Sequence, residues 1–211
     1  MKILSLKSID STQVYLKNAI SNKTLQAPIA VIANEQTNGI GSRNNSWSSQ
    51  KGNLFLSFAL PLDVLPKDLK LESASIYFAY ILKESLAAFG SKVFLKWPND
   101  FYVNDKKVGG MITNIVSDVL VCGVGLNLES ADERFTKLDI NLKISTLLEN
   151  YFENLEKKTL WKQVFSKYKL EFRTNNKFFT HNNGMKISLS SAVLEYDGSL
   201  HINGERIYSR R

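Results

Sequence analysis

Residues 93–110 read VFLKWPNDFYVNDKKVGG, and the fold turns on them. Val93, Phe94 and Leu95 have the length and branching of a short strand, and Phe101, Tyr102 and Val103 form a second. Pro98 pushes Trp97 towards extended backbone and has no amide to donate, so the chain bends where it carries Lys96, Asn99 and Asp100. Asn104-Asp105 then predicts a hairpin turn, which returns Lys107, Gly109 and Gly110 close to Lys96 and Asp100. Two cations, a carboxylate and an amide beside glycine backbone suit an anionic, metal-bound ligand. The same residue types also make an ordinary solvated hairpin, because turns favour Asn and Asp. Spacing alone leaves these two readings level.

Upstream, Ile3 to Leu6 reads as a strand. Asp10-Ser11-Thr12 supplies helix-capping chemistry ahead of Val14, Leu16, Ala19 and Ile20. Pro28 to Ala33 is a continuous apolar run, predicting a buried central strand. Residues 34–47 then form a long polar loop with Gly39, Gly41 and Arg43, ending at Trp47. A Gly-x-Gly pair lets backbone amides approach an anion, but the third glycine and following helix of a dinucleotide fingerprint are missing. The length of the loop is the stronger sign of function. Gly52 to Leu60 predicts a strand with Leu54, Leu56 and Phe58 on one face and Phe55 and Ala59 on the other. Leu71 to Phe89 has helical spacing closed by Gly90 and is expected to be scaffold.

Downstream, Met111 to Val116 and Val119 to Leu128 predict two more strands. The second contains Gly123 and Gly125, and glycine inside a strand often marks close approach of a ligand or another backbone. Cys122 is expected to be a buried small apolar residue. Leu142–Phe152 and Leu155–Phe172 read as two helices after a polar loop. From Phe178 the pattern changes to short alternating runs separated by Asn183-Gly184, Asp197-Gly198 and Asn203-Gly204, which are strong hairpin signals. Two units are therefore expected, 1–177 and a small β unit at 178–211. At roughly 34 residues the β unit is below the ~40-residue limit for independent folding and must pack on the first. His181 and His201 stand singly, without metal-ligand spacing.

Composition narrows the classes. With 211 residues, 44% hydrophobic and 22% charged, the chain is that of an ordinary globular protein. A formal charge of +7 raises a nucleic-acid-binding module as one reading, but the cations are scattered, whereas such a footprint is clustered. One cysteine excludes an internal disulfide and fits a reducing, cytoplasmic setting. No stretch is apolar enough to predict a signal peptide or membrane span.

Four segments in order carry a more specific resemblance. Asp10-Ser11-Thr12-Gln13, then Gln36-Thr37-Asn38-Gly39-Ile40-Gly41-Ser42-Arg43 with Trp47, then Lys96-Trp97-Pro98-Asn99-Asp100, then Lys107-Val108-Gly109-Gly110 resemble biotin–protein ligases. Gly123-Val124-Gly125-Leu126-Asn127 is similar to their later glycine-rich strand. The resemblance covers Ile3 to Leu128 and, more loosely, the β unit. It implies an α+β fold, a mixed sheet flanked by helices as in class II aminoacyl-tRNA synthetases, followed by a small SH3-like unit. It also implies the short class, since there is no room ahead of Ser8 for a DNA-binding helix-turn-helix domain.

The resemblance implies an enzyme that makes biotinyl-AMP from biotin and MgATP. The biotin then passes to a lysine of the biotin carboxyl carrier protein of acetyl-CoA carboxylase, with no role for DNA or membrane. Ser11, Thr12 and Gln36 would hydrogen-bond the ureido ring, Gln13 would also bind biotin, and Gly39, Ile40, Gly41 and Ser42 would close over it near Gly123 and Gly125. Lys107 would contact the carboxylate and then the adenylate, and Lys96 the phosphates. Asn99 would meet the nucleotide, Trp47 would stack near adenine, and Asp100 and Asn127 would hold Mg²⁺. The family loop usually reads Gly-Arg-Gly-Arg. Here Arg43 is the one arginine and is shifted by a residue, so either it or Lys96, Lys107 and Mg²⁺ must meet the phosphate charge. A lipoate or octanoate ligase or transferase shares the expected fold, although a lipoyl pocket has little use for the polar Gln36. A homodimer is compatible with the sequence, which does not decide oligomeric state.

Overall fold

The computed structural model describes residues 1–42, 45–48, 50–182 and 184–208. In chain order the elements are β1 (Lys2–Leu6), α1 (Thr12–Ser21), β2 (Ile29–Ala33), β3 (Gly39–Ile40), β4 (Ser46–Trp47), β5 (Leu54–Pro61), α2 (Ala74–Ala88), β6 (Phe94–Lys96), β7 (Asp100–Val103), β8 (Lys106–Val116) and β9 (Val119–Leu126). They continue with α3 (Ile144–Glu156), α4 (Trp161–Glu171), β10 (Phe179–Asn182), β11 (Met185–Ser188), β12 (Val193–Leu194), β13 (Leu200–Ile202) and β14 (Glu205–Ile207). Seven strands form one mixed sheet in the order β1-β2-β5-β9-β8-β7-β6. The β1–β2 pair is parallel and the other pairs are antiparallel.

The two faces of the sheet differ because successive side chains alternate. Leu54, Leu56 and Phe58 of β5 point to the face covered by α2, α3 and α4, where they join one large apolar cluster. On the other face, Ile29, Val31, Ala59, Val119 and Val121 pack around Leu16 of α1. That single ten-residue helix covers only part of its face. Both sides of β2 are covered, which explains its unbroken apolar run. It lies second from the β1 edge and not at the centre of the sheet as expected.

The expected helix at 155–172 is shorter. Leu155 belongs to α3, which ends at Glu156, Lys158 takes a positive φ of 47°, and α4 starts only at Trp161. The carboxylate of Asp68 accepts from the amides of Trp161 and Lys162, both at 2.9 Å. A residue 93 positions away thus satisfies the exposed amides of the first turn, and apolar spacing that carries across the break hides it.

The C-terminal strands form a β10–β11 hairpin and a β12-β13-β14 sheet, consistent with a small SH3-like unit. Gly198 and Gly204 take positive φ as their turns require; Asn183 lies outside the described residues. Three consecutive carbonyls dock this unit. Trp161 Nε1 donates to Tyr196 O at 2.8 Å, Ser73 Oγ to Asp197 O at 2.7 Å, and Trp97 Nε1 to Gly198 O at 2.8 Å. Among the described residues no helix is long and apolar enough to cross a membrane.

Candidate functional site

Beyond the end of α1 the apolar residues of its sheet face give way to glycine and serine. Two rows run across the strands there. One joins Ser57, Gly123 and Ile112; the next joins Phe55, Gly125, Gly110 and Asp100. The rows are two residues apart, so they share a face and stand roughly 7 Å from each other. Together with the N-terminus of α1 and the 36–47 loop they line one cleft of about 480 Å³, counting space open to solvent. The two glycines of β9 are required by close approach. A Cβ on Gly123 would lie 2.5 Å from Gln13 Oε1, and one on Gly125 would lie 2.5 Å from the Trp47 ring.

The second row is charged. Lys107 Nζ lies 2.7 Å from Asp100 Oδ1, and Lys96 Nζ lies 3.9 Å from Asp100 Oδ2. Lys107 reaches this face through an irregularity in the ladder. Asp100 faces Gly110 and Tyr102 faces Lys107, with a register shift between Phe101 and Tyr102. Without the extra residue at this bulge, Lys107 and Gly110, three apart, would point to opposite faces. The bulge turns the lysine towards the carboxylate. Lys96 pairs directly with Asp100 across β6 and β7 and lies 5.4 Å from the centre of the Tyr102 ring. Burial first, and then the Asp100 carboxylate, push the Tyr102 pKa up to about 12, so this phenol stays neutral at physiological pH.

The first row is neutral and hydrogen-bonded. Ser11 caps α1, its hydroxyl accepting from the Val14 amide at 3.4 Å. Thr12 donates from its amide and its hydroxyl to Gln36 Oε1, at 2.9 and 3.1 Å, and its hydroxyl lies 2.9 Å from Ser57 Oγ. Gln13 donates through Nε2 to Asn114 Oδ1 at 3.1 Å and to the Val121 carbonyl at 3.3 Å. Its Oε1, buried beside Gly123, has no partner among the described residues. A buried acceptor left unsatisfied costs about 1–3 kcal/mol, and this oxygen is open to an incoming donor.

The polar loop is tied to the entry of α1. Ile9 and Gln36 form a bridge, the Asn38 amide donates to Asp10 O at 2.9 Å, and Thr37 Oγ1 donates to Asp10 Oδ1 at 2.7 Å. The β3–β4 pair then sets Gly39 opposite Trp47 and brings the indole over Gly125, with Lys107 Nζ 5.9 Å from the ring centre. The loop is thus a short hairpin folded onto the charged row.

The cleft brings together Ser11, Thr12, Gln13, Gln36, Ile40, Gly41, Ser42, Trp47, Asn99, Asp100, Lys107, Gly123 and Gly125. Gly39 is buried on β3 and Lys96 borders Asp100. Arg43 lies outside the described residues. Asn99 also ties β8 in place, since its Nδ2 donates to the Met111 carbonyl and its own carbonyl accepts from the Met111 amide. Asn127 does not join Asp100 in this cleft. It is buried beside a smaller adjoining depression shared by Trp47, Asn53, Asp132 and Phe135, where its Oδ1 accepts from Asn53 and its Nδ2 donates to Thr136 O, both at 3.3 Å.

Gly110, expected beside Asp100 from the hairpin, leaves room for Asp100 and Lys107. Two contributors were not read from the sequence. Ser57 is a fully buried hydroxyl in a strand, and its polarity among apolar neighbours was the available signal. Asn53 accepts from the amides of Leu128, Glu129 and Ser130 at 2.9, 3.1 and 3.3 Å, gathering the turn after β9, and nothing in its local context marks that role.

The donors present decide how a divalent cation fits. Among the described residues no group of three or more His, Cys, Asp or Glu side chains could hold one. Asp100 offers one carboxylate and already faces two lysines, and Asn127 Oδ1 is engaged elsewhere. Mg²⁺ keeps several waters and is commonly held by one or two carboxylates together with substrate phosphates. The site fits Mg²⁺ carried in by a nucleotide, and the described residues supply no resident cage.

One cleft on one face of a mixed sheet thus sets a neutral polar row beside a charged row. Residues 5–128 match the Biotin/lipoate A/B protein ligase family, and the chain belongs to it. It is 33% identical over 162 residues to the bifunctional ligase/repressor BirA of Escherichia coli, covering 74% of this chain and 48% of that protein. The chain spans about half the length, or less, of the curated relatives it matches first. Two solved structures are similar over nearly their whole length. One is the biotin acetyl coenzyme A carboxylase synthetase of Helicobacter pylori with bound biotinylated ATP, at TM-score 0.95 and 38% identity, covering 99% of each chain. The other is the biotin protein ligase of Aquifex aeolicus in complex with biotin and ATP, at TM-score 0.79 and 26% identity, covering 99% of this chain and 96% of that one.

Proposed function

We propose that this protein is an ATP-dependent biotin–protein ligase, forming biotinyl-AMP and transferring biotin to a lysine of a biotin carboxyl carrier protein, that of acetyl-CoA carboxylase. The observation that carries this reading is the pairing of two rows in one cleft. A neutral cluster of Thr12, Gln13, Gln36 and Ser57 lines the same cleft as Asp100 and Lys107, with Lys96 beside them; the rows are about 7 Å apart along the strands, and Ser57 on β5 stands three strands from Asp100 on β7. Biotin presents a neutral ureido ring at one end and a carboxylate at the other, matching the neutral and the charged cluster in turn.

Ser11, Thr12 and Gln36 hydrogen-bond the ureido group, and Gln13 Oε1 accepts one of its N–H groups. Lys107 exchanges Asp100 for the biotin carboxylate. As a carboxylate oxygen attacks the α-phosphate of ATP, a P–O bond forms, the bond to pyrophosphate breaks, and negative charge gathers on the phosphorus oxygens. Lys107 and Lys96, already in place, offset that charge without reorganising. Asn99 and Trp47 border the nucleotide, with the depression beside Asn127 and Phe135 as its extension. Mg²⁺ brought with ATP would supply charge neutralisation at the phosphates, and Asp100 would be the carboxylate to hold it with its waters. The product is a mixed anhydride. A neutral lysine amine of the carrier attacks its carbonyl carbon, AMP leaves and an amide forms. The hairpin bearing Gly39 to Trp47 shields the anhydride from water.

The polar row favours biotin over a lipoyl or octanoyl acid, which would leave Gln13 Oε1 without a donor. ATP as second substrate and a lone buried thiol, Cys122, support a cytoplasmic setting. The test is incubation with biotin, MgATP and an apo carrier domain. A mass gain on one carrier lysine is expected; no gain, or a gain with lipoate and not with biotin, overturns the reading.

A further inference from the structure

The seven-stranded sheet ends at β6, the strand that carries Lys96. A terminal strand leaves a row of unpaired amides and carbonyls that proteins must cover. Here they are met one by one. Glu171 Oε1 accepts from the Leu95 amide at 2.8 Å. Asn175 Oδ1 accepts from the Trp97 amide at 2.8 Å, and Asn175 Nδ2 donates to the Leu95 carbonyl at 3.2 Å.

This last pair has a definite geometry. In a parallel ladder one residue donates its N–H to the carbonyl before a given residue of the next strand and accepts at its own carbonyl from the amide after it. The Asn175 carboxamide does this around Lys96. Its orientation is set by its partners, since the Trp97 amide needs an acceptor and the Leu95 carbonyl a donor. Asn175 is fully buried and sits in a 3-10 turn directly after α4. The Trp97 indole is anchored further on, at Gly198 of the C-terminal unit.

We propose that Asn175 is a positioning residue for Lys96: its side chain stands in for a neighbouring strand, grips the backbone on both sides of the lysine, and makes the segment beyond α4 a working part of the site. The proposal rests on the ligase reading for the role of Lys96, but the grip itself is independent of it. Lys96 stands at the strand end before Pro98. β7 holds its backbone on one side, and on the other the carboxamide works beside Glu171, which meets the Leu95 amide.

The experiment replaces Asn175 with leucine, close in volume and unable to hydrogen-bond. Tyr151→Phe is the control, a buried hydroxyl bonded to Phe78 O at 3.1 Å in the core. Biotin-dependent pyrophosphate release is measured below the Tm of each variant. Asn175→Leu is expected to lower kcat ten- to hundred-fold, in line with ~10²-fold losses for a misplacement of about 1 Å, with KM for biotin unchanged and Tyr151→Phe near wild type. In a Lys96→Ala background, Asn175→Leu should cost less than a further twofold, because a residue acting only through Lys96 has nothing left to position. Losses that multiply, or that follow Tm in both variants, would show a merely structural role and overturn the proposal. Should Asn175→Leu not fold, Asn175→Asp keeps the acceptor and loses the donor to Leu95, and the same background comparison decides. Hydrogen exchange at the Leu95 and Trp97 amides, read without substrate, is expected to accelerate in the variant. A wild-type protein that releases no pyrophosphate would refute the ligase reading, whereas unchanged exchange would refute the grip.

Discussion

Gly125→Ala isolates what the hairpin over the cleft contributes. The substituted Cβ would lie 2.5 Å from Trp47 Cε2 and 2.6 Å from Nε1, whereas ordinary contact begins at 3.4 Å, so the indole must retreat by about 1 Å to reach a normal carbon–carbon separation. Gly125 has no positive φ, and alanine in a strand shifts stability by about 1 kcal/mol at most. The fold should therefore survive while the roof of the charged row is displaced. A displacement of about 1 Å near reacting atoms is associated with ~10²-fold loss of rate. Biotin-dependent pyrophosphate release is expected to fall by roughly that factor, with Tm within a few degrees of wild type. Trp97 and Trp161 are 2% and 0% exposed, so ligand-induced changes in tryptophan emission report mainly on Trp47 and should be altered in the variant. A Gly125→Ala protein with kcat/KM within twofold of wild type and an unchanged emission response would refute the argument that Trp47 roofs the site.

Lys107→Met should reduce adenylate formation by about 10²–10³-fold, the range for removing one preorganised donor at developing charge, with secondary structure retained by circular dichroism. Ser57→Ala removes the buried hydroxyl that meets Thr12, and KM for biotin should rise about five- to tenfold, equivalent to about 1–1.4 kcal/mol, while KM for ATP stays unchanged. Asp197 carries a pH dependence. Burial pushes its carboxyl up, but the hydroxyl and amide of Ser199 and the Arg206 guanidinium outweigh burial and hold it below the usual carboxylate range. A carboxylate depressed in the folded state contributes stability above the ordinary Asp value of about 3.9, and that stability is lost as pH falls through the depressed value. Acid titration is expected to weaken docking of the C-terminal unit below about pH 4, seen in the emission of Trp97 and Trp161. Asp197→Asn should abolish that step and lower Tm at neutral pH.

Much of this was legible in the chain because its determinants are local. Periodicity marked β5, α2, β8 and β9, and glycine chemistry marked the C-terminal turns. The hairpin at 93–110 was readable from Pro98 and Asn104-Asp105, and its return of Lys107 to Asp100 follows from antiparallel pairing. The helix at 155–172 misled because apolar spacing continues through a break that Asp68, remote in sequence, stabilises. The resemblance set Asn127 beside Asp100 at Mg²⁺, whereas the structure engages its amide with Asn53 and Thr136.

By itself, then, the order of residues determined which segments are strands and helices, and which polar groups lie near a turn. Only the tertiary structure decided which face each group meets. The bulge between β7 and β8 turns Lys107 towards Asp100, register sets Ser57 beside Gly123, and Asn175 closes the open edge at Lys96. The reason is physical: hydrophobic period and turn chemistry act over a few residues, whereas register, bulges and edge hydrogen bonds are settled between segments tens of residues apart.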